Sequence, residues 1–256
     1  MEAVDSIKVS LIAFAAIFGG AIIGVLLRLA LPERQLSEDT KDVVRLCTGL
    51  IGTMAALVLG LLIASANNSF ETQAGQVRRL AANIILLDRL LAHYGPEART
   101  ARDFMRRAID PLVDQIWWEH ASKAGKDAPY EASAAGAAAG AAIESLSPQT
   151  DLQRSLKARV VQIVTEQGQT RLQLFEASTS SIPTPFLTVL IFWLTVIFAS
   201  FSLFSRLHAT LVAVLFVSAL SAAGAIYLIL DLSQPFTGLI QISSAPLRNA
   251  LAPLGP

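Results

Sequence analysis

Four long stretches of this 256-residue chain carry no charge. Between Lys8 and Arg28 lie 19 uncharged residues, between Arg45 and Glu71 25, between Glu176 and Arg206 29, and between Arg206 and Asp231 24. A helix rises about 1.5 Å per residue, so about 20 mainly apolar residues cross a hydrocarbon core about 30 Å thick. All four stretches are long enough, the third when trimmed to Phe186–Phe204. One such run is compatible with a buried helix of a large soluble domain. Four leave too little other chain to cover them, so the chain reads as a multi-spanning membrane protein. The composition agrees, with 53% hydrophobic and only 16% charged residues, against about 25% charged in soluble domains. The first run does not look like a cleaved signal peptide. Glu2, Asp5 and Lys8 precede it, and Arg28 ends it without a convincing cleavage site.

The remaining charge is concentrated in the middle. From Glu71 to Glu176, 106 residues carry 13 basic and 13 acidic side chains, a soluble-domain density. The expected fold is therefore all-α: an integral membrane protein with four transmembrane helices and a helical soluble insert between the second and third. A first transmembrane hairpin occupies 1–70, with spans at about 9–28 and 46–67. The insert occupies 71–180. A second hairpin at 181–256 has spans at about 186–204 and 209–230 and ends in a short amphipathic tail, Pro246 to Leu254, suited to lying along the membrane surface. Twenty Lys+Arg balance twenty Asp+Glu, which excludes a nucleic-acid binder relying on a strongly basic chain. The single cysteine, Cys47, excludes an intrachain disulfide; inside span two it is expected to be buried and inert.

Small residues recur at four-residue spacing in the first two spans: Ala16, Gly20 and Gly24, then Gly52, Ala56, Gly60 and Ala64. In lipid, small residues let helix backbones approach closely, and van der Waals packing drives association. Two readings stand: packing of the first span on the second, or a subunit interface or constriction in an oligomer. Span two continues beyond the membrane. No proline interrupts Val43–Tyr94, and Val77, Leu80, Ile84, Leu87, Leu91 and Tyr94 form an unbroken heptad seam, with Arg78, Arg79, Asp88 and Arg89 off it. Gly95-Pro96 ends the helix. A second soluble helix is expected over Pro96–Ile109, and Asp110-Pro111 starts a short segment to Trp118. Trp117 and Trp118 belong either to the core or to the membrane interface. The stretch from Ala121 to Ala142 is a link or a weak helix. Ser147-Pro148 opens a long helix carrying Leu152, Leu156, Ile163, Val164, Leu172 and Phe175, which returns antiparallel along the seam.

No catalytic motif is present: there is no G-x-S-x-G, no H-E-x-x-H and no phosphate loop, and the chain is not expected to be an enzyme. His93, His120 and His208 follow no ligand spacing, so no metal or other cofactor is expected. Polar groups near membrane depth are more informative, because they are costly unless paired or facing water. Asp42 and Arg45 start span two and are spaced to pair at i, i+3; Asn67 and Asn68 sit at its exit; Asp231 ends span four. Each either caps or snorkels at the interface or lines an aqueous path. Orientation follows Lys/Arg in short loops: Arg28, Arg34, Lys41, Arg45 and Arg206 on one side against Lys8 and Arg248 on the other. Both termini and the insert are then outside.

Several runs resemble a family of bacterial membrane proteins described as bestrophin-like. They are Leu61-Leu-Ile-Ala-Ser-Ala, Arg79-Leu-Ala-Ala-Asn-Ile-Ile-Leu-Leu-Asp-Arg-Leu, Tyr94-Gly-Pro-Glu-Ala, Ser181-Ile-Pro-Thr-Pro-Phe, Phe192-Trp-Leu, Leu230-Asp-Leu-Ser-Gln-Pro-Phe-Thr-Gly and Ile242-Ser-Ser-Ala-Pro-Leu. The resemblance covers nearly the whole chain. It implies a multi-pass protein of the bacterial inner membrane, a homo-oligomer, and conduction of an anion such as chloride, since bestrophins are pentameric anion channels. Bestrophins also keep both termini and the helical domain in the cytoplasm, opposite to the orientation from the charge count. No stretch matches a bestrophin pore residue by residue, so the resemblance assigns no pore residues. The competing expectation is a non-conducting scaffold or sensor that binds a partner through the seam of its helical insert.

Overall fold

The computed structural model describes residues 2–32, 38–109, 112–114, 116–117, 134–179, 184–205 and 208–250. All regular structure among them is helical: α1 (Glu2–Ala30), α2 (Glu38–Tyr94), a 3-10 turn (Pro96–Ala98), α3 (Arg99–Arg107), α4 (Ala134–Glu144), α5 (Asp151–Thr179), α6 (Thr184–Phe204), α7 (Ala209–Leu232) and α8 (Ala245–Asn249). Four helices, α1, α2, α6 and α7, are long and apolar enough to cross a membrane. They are the four uncharged stretches. The chain forms two compact units, a membrane unit of Glu2–Ser69 and Ser181–Ser233 and a helical unit of Phe70–Ser180 and Gln234–Pro256. Helix α2, 57 residues and so about 86 Å long, contributes to both.

In the membrane unit α1 packs on α6 and α7. Ser6, Ser10, Ala13, Ile17 and Ala21 are its buried side. Gly20 and Gly24 set the approach to α6: a Cβ on Gly20 would lie 2.6 Å from the Thr195 carbonyl oxygen, and one on Gly24 would run into the Ala199 carbonyl. The close partner of the α1 stripe is thus the third span rather than the second, as the simpler sequence reading had it. Four-residue spacing marks a contact face but does not name the helix it meets. Phe14 and Phe18 of α1 meet Phe216 of α7 edge-on, at centroid distances of 5.5 and 5.7 Å. Buried hydroxyls bond to carbonyls one turn back, Ser10 to Ser6 and Ser202 to Phe198. No water is needed to satisfy them in lipid.

In the helical unit the seam is core. Val77, Leu80, Ile84, Leu87, Leu91 and Tyr94 are all buried. Helix α5 returns antiparallel to α2, since Gln76 Nε2 donates to Gln173 Oε1 at 3.2 Å and Gln153 Nε2 to the Tyr94 carbonyl at 3.1 Å. Its buried residues are Val160, Ile163 and Leu174, whereas Leu152 and Leu172 are exposed. Helix α5 also begins three residues after Pro148, at Asp151. The Thr150 hydroxyl accepts from the Gln153 amide, and Gln153 Oε1 accepts from the amides of Gln149 and Thr150. That reciprocal cap outweighs the proline signal. Lys157 closes the other boundary by donating to the carbonyls of Glu144 and Leu146. Pro96–Ala98 is a 3-10 turn, so the second soluble helix shrinks to α3. Asp110-Pro111, Trp118 and the first part of the Ala121–Ala142 stretch lie outside the described residues, and its end forms α4.

Two features were not anticipated. Asp88, one position off the seam, is 1% exposed. Arg102 grips it with two hydrogen bonds, Nε to Oδ1 at 2.9 Å and Nη2 to Oδ2 at 2.7 Å, and Arg106 Nε lies 3.6 Å from Oδ1. This ties α3 to α2. Bonding to the Asp88 carboxylate raises the Arg102 guanidinium above its usual value against the opposing effect of burial. The segment after α7 also turns inward. Phe236, Ile242, Leu247 and Ala250 join Val77, Leu80 and Leu174 in one cluster. Trp117 stacks edge-on to Phe236 at 5.4 Å and donates to the Ile242 carbonyl at 3.0 Å. Of the tail from Pro246, Leu247 and Ala250 are buried in this cluster of the helical unit. Trp117 is partly buried and packs against that core.

Candidate functional site

The candidate site is built on one face of α2 within the membrane unit. The chain between Asp42 and Tyr94 holds no proline, so the helix runs unbroken and each residue's azimuth follows from its number. Ala55, Leu62 and Ala66 form the buried face, joining Ile17, Ala21, Leu190 and Ile226. The stripe lies about a third of a turn away. Gly52 is half-buried; Ala56, Gly60, Ala64, Asn67 and Asn68 are exposed. A Cβ on Gly52 or Gly60 would meet no atom within 4 Å. Leu46, Leu50, Leu57 and Leu61 are exposed as well. Only 17% of the apolar window of α2 is buried, against 33% for α1 and 28% each for α6 and α7. The second span is the least covered of the four.

The ionisable residues divide. Asp42 and Arg45 pair at 3.4 Å with side chains 69% and 76% exposed, beside a tighter Lys41–Glu38 pair at 2.7 Å. The i, i+3 spacing brings Asp42 and Arg45 together at the start of α2. Asn67 and Asn68 are 25 and 26 positions along from Asp42, about 38 Å away on the same helix. Asp231 stands apart from both. It is 1% exposed, and the Tyr227 hydroxyl donates to its Oδ1 at 3.3 Å. It neither snorkels nor faces solvent. Cys47 is exposed on α2 rather than buried, because within the membrane unit the packed side of the helix is the one carrying Thr48, Ala55, Leu62 and Ala66.

Sequence reasoning missed Thr48, although it continues the four-residue series one step before Gly52. It is 8% exposed and lines a 380 Å³ cavity between the start of α2 and the end of α6, together with Arg45, Gly49, Gly52, Phe201 and Phe204. Nothing lies within 4 Å of a Cβ on Gly49 either, so the glycines leave the cavity open. Chemically, the arrangement offers small side chains, amides and hydroxyls along the uncharged stretch of α2 between Arg45 and Glu71. Among the described residues no group of three or more His, Cys, Asp or Glu is placed to hold a metal ion.

No curated protein matches the chain. Its fold is similar to the crystal structure of a bacterial bestrophin homologue from Klebsiella pneumoniae carrying one substitution, with a TM-score of 0.67 at 16% identity, over 94% of this chain and 97% of that one. The model of the bestrophin-like domain matches residues 15–247. That span takes in α2, α6 and α7 whole, the greater part of α1, the helical unit and most of the docked tail. The chain belongs to the bestrophin-like family.

Proposed function

We propose that the protein is a homo-oligomeric channel of the bacterial inner membrane that conducts a small anion such as chloride. The observation that carries this reading is the uncovered face of α2. Ala56, Gly60 and Ala64 are exposed and a Cβ on Gly52 or Gly60 would meet nothing within 4 Å, whereas Gly20 and Gly24 of α1 are closed against α6. Copies of α2 arranged around an axis would bring that face inward. The small residues then leave room for an ion, and the Asn67 and Asn68 amides offer donors at the exit. Membership of the bestrophin-like family supports it. The alternative, a scaffold that binds a partner through the seam, loses its surface, because every seam residue is already buried inside the helical unit.

The test is chloride flux from liposomes containing purified protein, with oligomeric state read by native mass spectrometry. Flux above that of empty vesicles from an oligomer, lost in Gly60→Leu, is the expected result. A monomer without flux would overturn the proposal. Orientation is tested separately. With Cys47→Ser as background and Gln169→Cys on the exposed side of α5, the charge count predicts labelling by an impermeant thiol reagent in intact cells. Labelling only after lysis would place the helical unit in the cytoplasm, as in bestrophins.

A further inference from the structure

The helical unit has a second cavity, partly open and of 250 Å³, that is separate from the α2 face of the membrane unit. One wall is the α2 seam at Leu80, Ile84 and Leu87, with Met105 and Ile109; the other is made by Gly136, Ala139 and Gly140 of α4 and Gly168 of α5. Glycine inside a helix is unfavourable relative to alanine and is normally offset by close backbone approach. In α1 that approach is present. Here it is not: a Cβ on Gly140 or Gly168 would meet nothing within 4 Å. Glycines from two helices therefore leave a volume open rather than closing one. An apolar cavity of about 150 Å³ is enough to hold benzene, whereas ordered water needs two to four polar partners. Gln167 and Arg171 are the polar members of the lining, and Gln167 Nε2 is buried with no hydrogen-bond partner. A buried donor without an acceptor is unusual in a folded protein.

We propose that this cavity binds a compact, mainly apolar molecule bearing one hydrogen-bond acceptor, a carbonyl or a carboxylate, which takes the hydrogen bond of Gln167 Nε2. The aliphatic seam and Met105 hold the apolar body, and the glycines supply the space for it. The inference does not depend on conduction, since the cavity lies wholly within the helical unit.

The experiment uses the full-length protein in detergent and saturable broadening of fluorine NMR signals from three ring-sized probes. These are 4-fluorobenzoate, 4-fluoroacetophenone, and 4-fluorotoluene, which has no acceptor. Saturable binding of one or both acceptor-bearing probes, stronger than that of 4-fluorotoluene, is expected; which of the two binds more tightly identifies the head group. Gly168→Leu fills the space and should abolish binding of all three. Gly140→Ala, a milder filling that favours the helix, should weaken it. Gln167→Leu should weaken the acceptor-bearing probes about tenfold, the scale of one buried hydrogen bond, and leave 4-fluorotoluene unchanged. Helical content and melting temperature confirm that each variant is folded. Equal signals for wild type and Gly168→Leu, or acceptor-bearing probes that bind no better than 4-fluorotoluene, would overturn the proposal.

Discussion

Helices α1 and α2 carry the same device and use it differently. Both cross the membrane with small residues every fourth position. In α1 the glycines sit so close to Thr195 and Ala199 of α6 that a single added carbon would strike backbone. In α2 the glycines face open space. A stripe of small residues thus states that something comes close without saying what. In one helix the partner is within the chain; in the other nothing within the chain comes that close, and the proposed assembly axis rests on that difference.

The sharpest way to break this comparison is to enlarge one glycine in each helix. Gly24→Leu should abolish folding of the membrane unit, read as loss of a monodisperse peak after extraction, because rigid backbone cannot move aside as a flexible side chain can. Gly60→Leu should leave the isolated fold intact and act only on oligomeric state and flux. If both variants behaved alike, the two stripes would not differ as described. The helical unit serves as a control, since its determinants lie away from either stripe. Arg102→Leu leaves the Asp88 carboxylate buried without its bidentate partner and should cost about 3–5 kcal/mol in chemical denaturation. Because the Arg102 shift is upward, its stabilising effect is fully present below the ordinary arginine value and is lost only above it. The pair should therefore still contribute at about pH 10. Leu247→Ala, at a fully buried tail position, should cost about 2–5 kcal/mol by the same measurement. The smallest effect is the most discriminating. Gly52→Ala and Gly60→Ala should raise thermal stability by up to about 1 kcal/mol by relieving the glycine penalty, whereas Gly20→Ala should lower it.

Much of this was legible in the chain because membrane spans announce themselves by exclusion of charge, and a continuous seam by its period. The spans, the long α2 and its buried heptad positions all follow from patterns within one segment. What escaped depends on pairing distant segments. Asp88 reads as a solvated charge until Arg102 and Arg106, one short helix later, are brought onto it. The tail from Pro246 reads as a membrane-surface helix because Leu247 is apolar; in the structure Leu247 and Ala250 join Val77, Leu80 and Leu174 of far earlier segments. For the candidate site, the stripe and the Asp42–Arg45 pair were readable from spacing. The burial of Asp231 against Tyr227, the exposure of Cys47 and the place of Thr48 in the cavity depend on which face of each helix is covered, and residue spacing alone does not fix that.

The docked tail sets an order of events during synthesis. Val77 and Leu80 emerge early, but the cluster they join also contains Phe236, Ile242 and Leu247, more than 150 residues later. Contacts of such sequence separation form late, after the intervening chain has been made. The helical unit therefore cannot complete its core until the residues after the fourth span have been made. A nascent chain arrested before Gln234 would hold that unit open, with the surface of Val77, Leu80 and Leu174 unsealed.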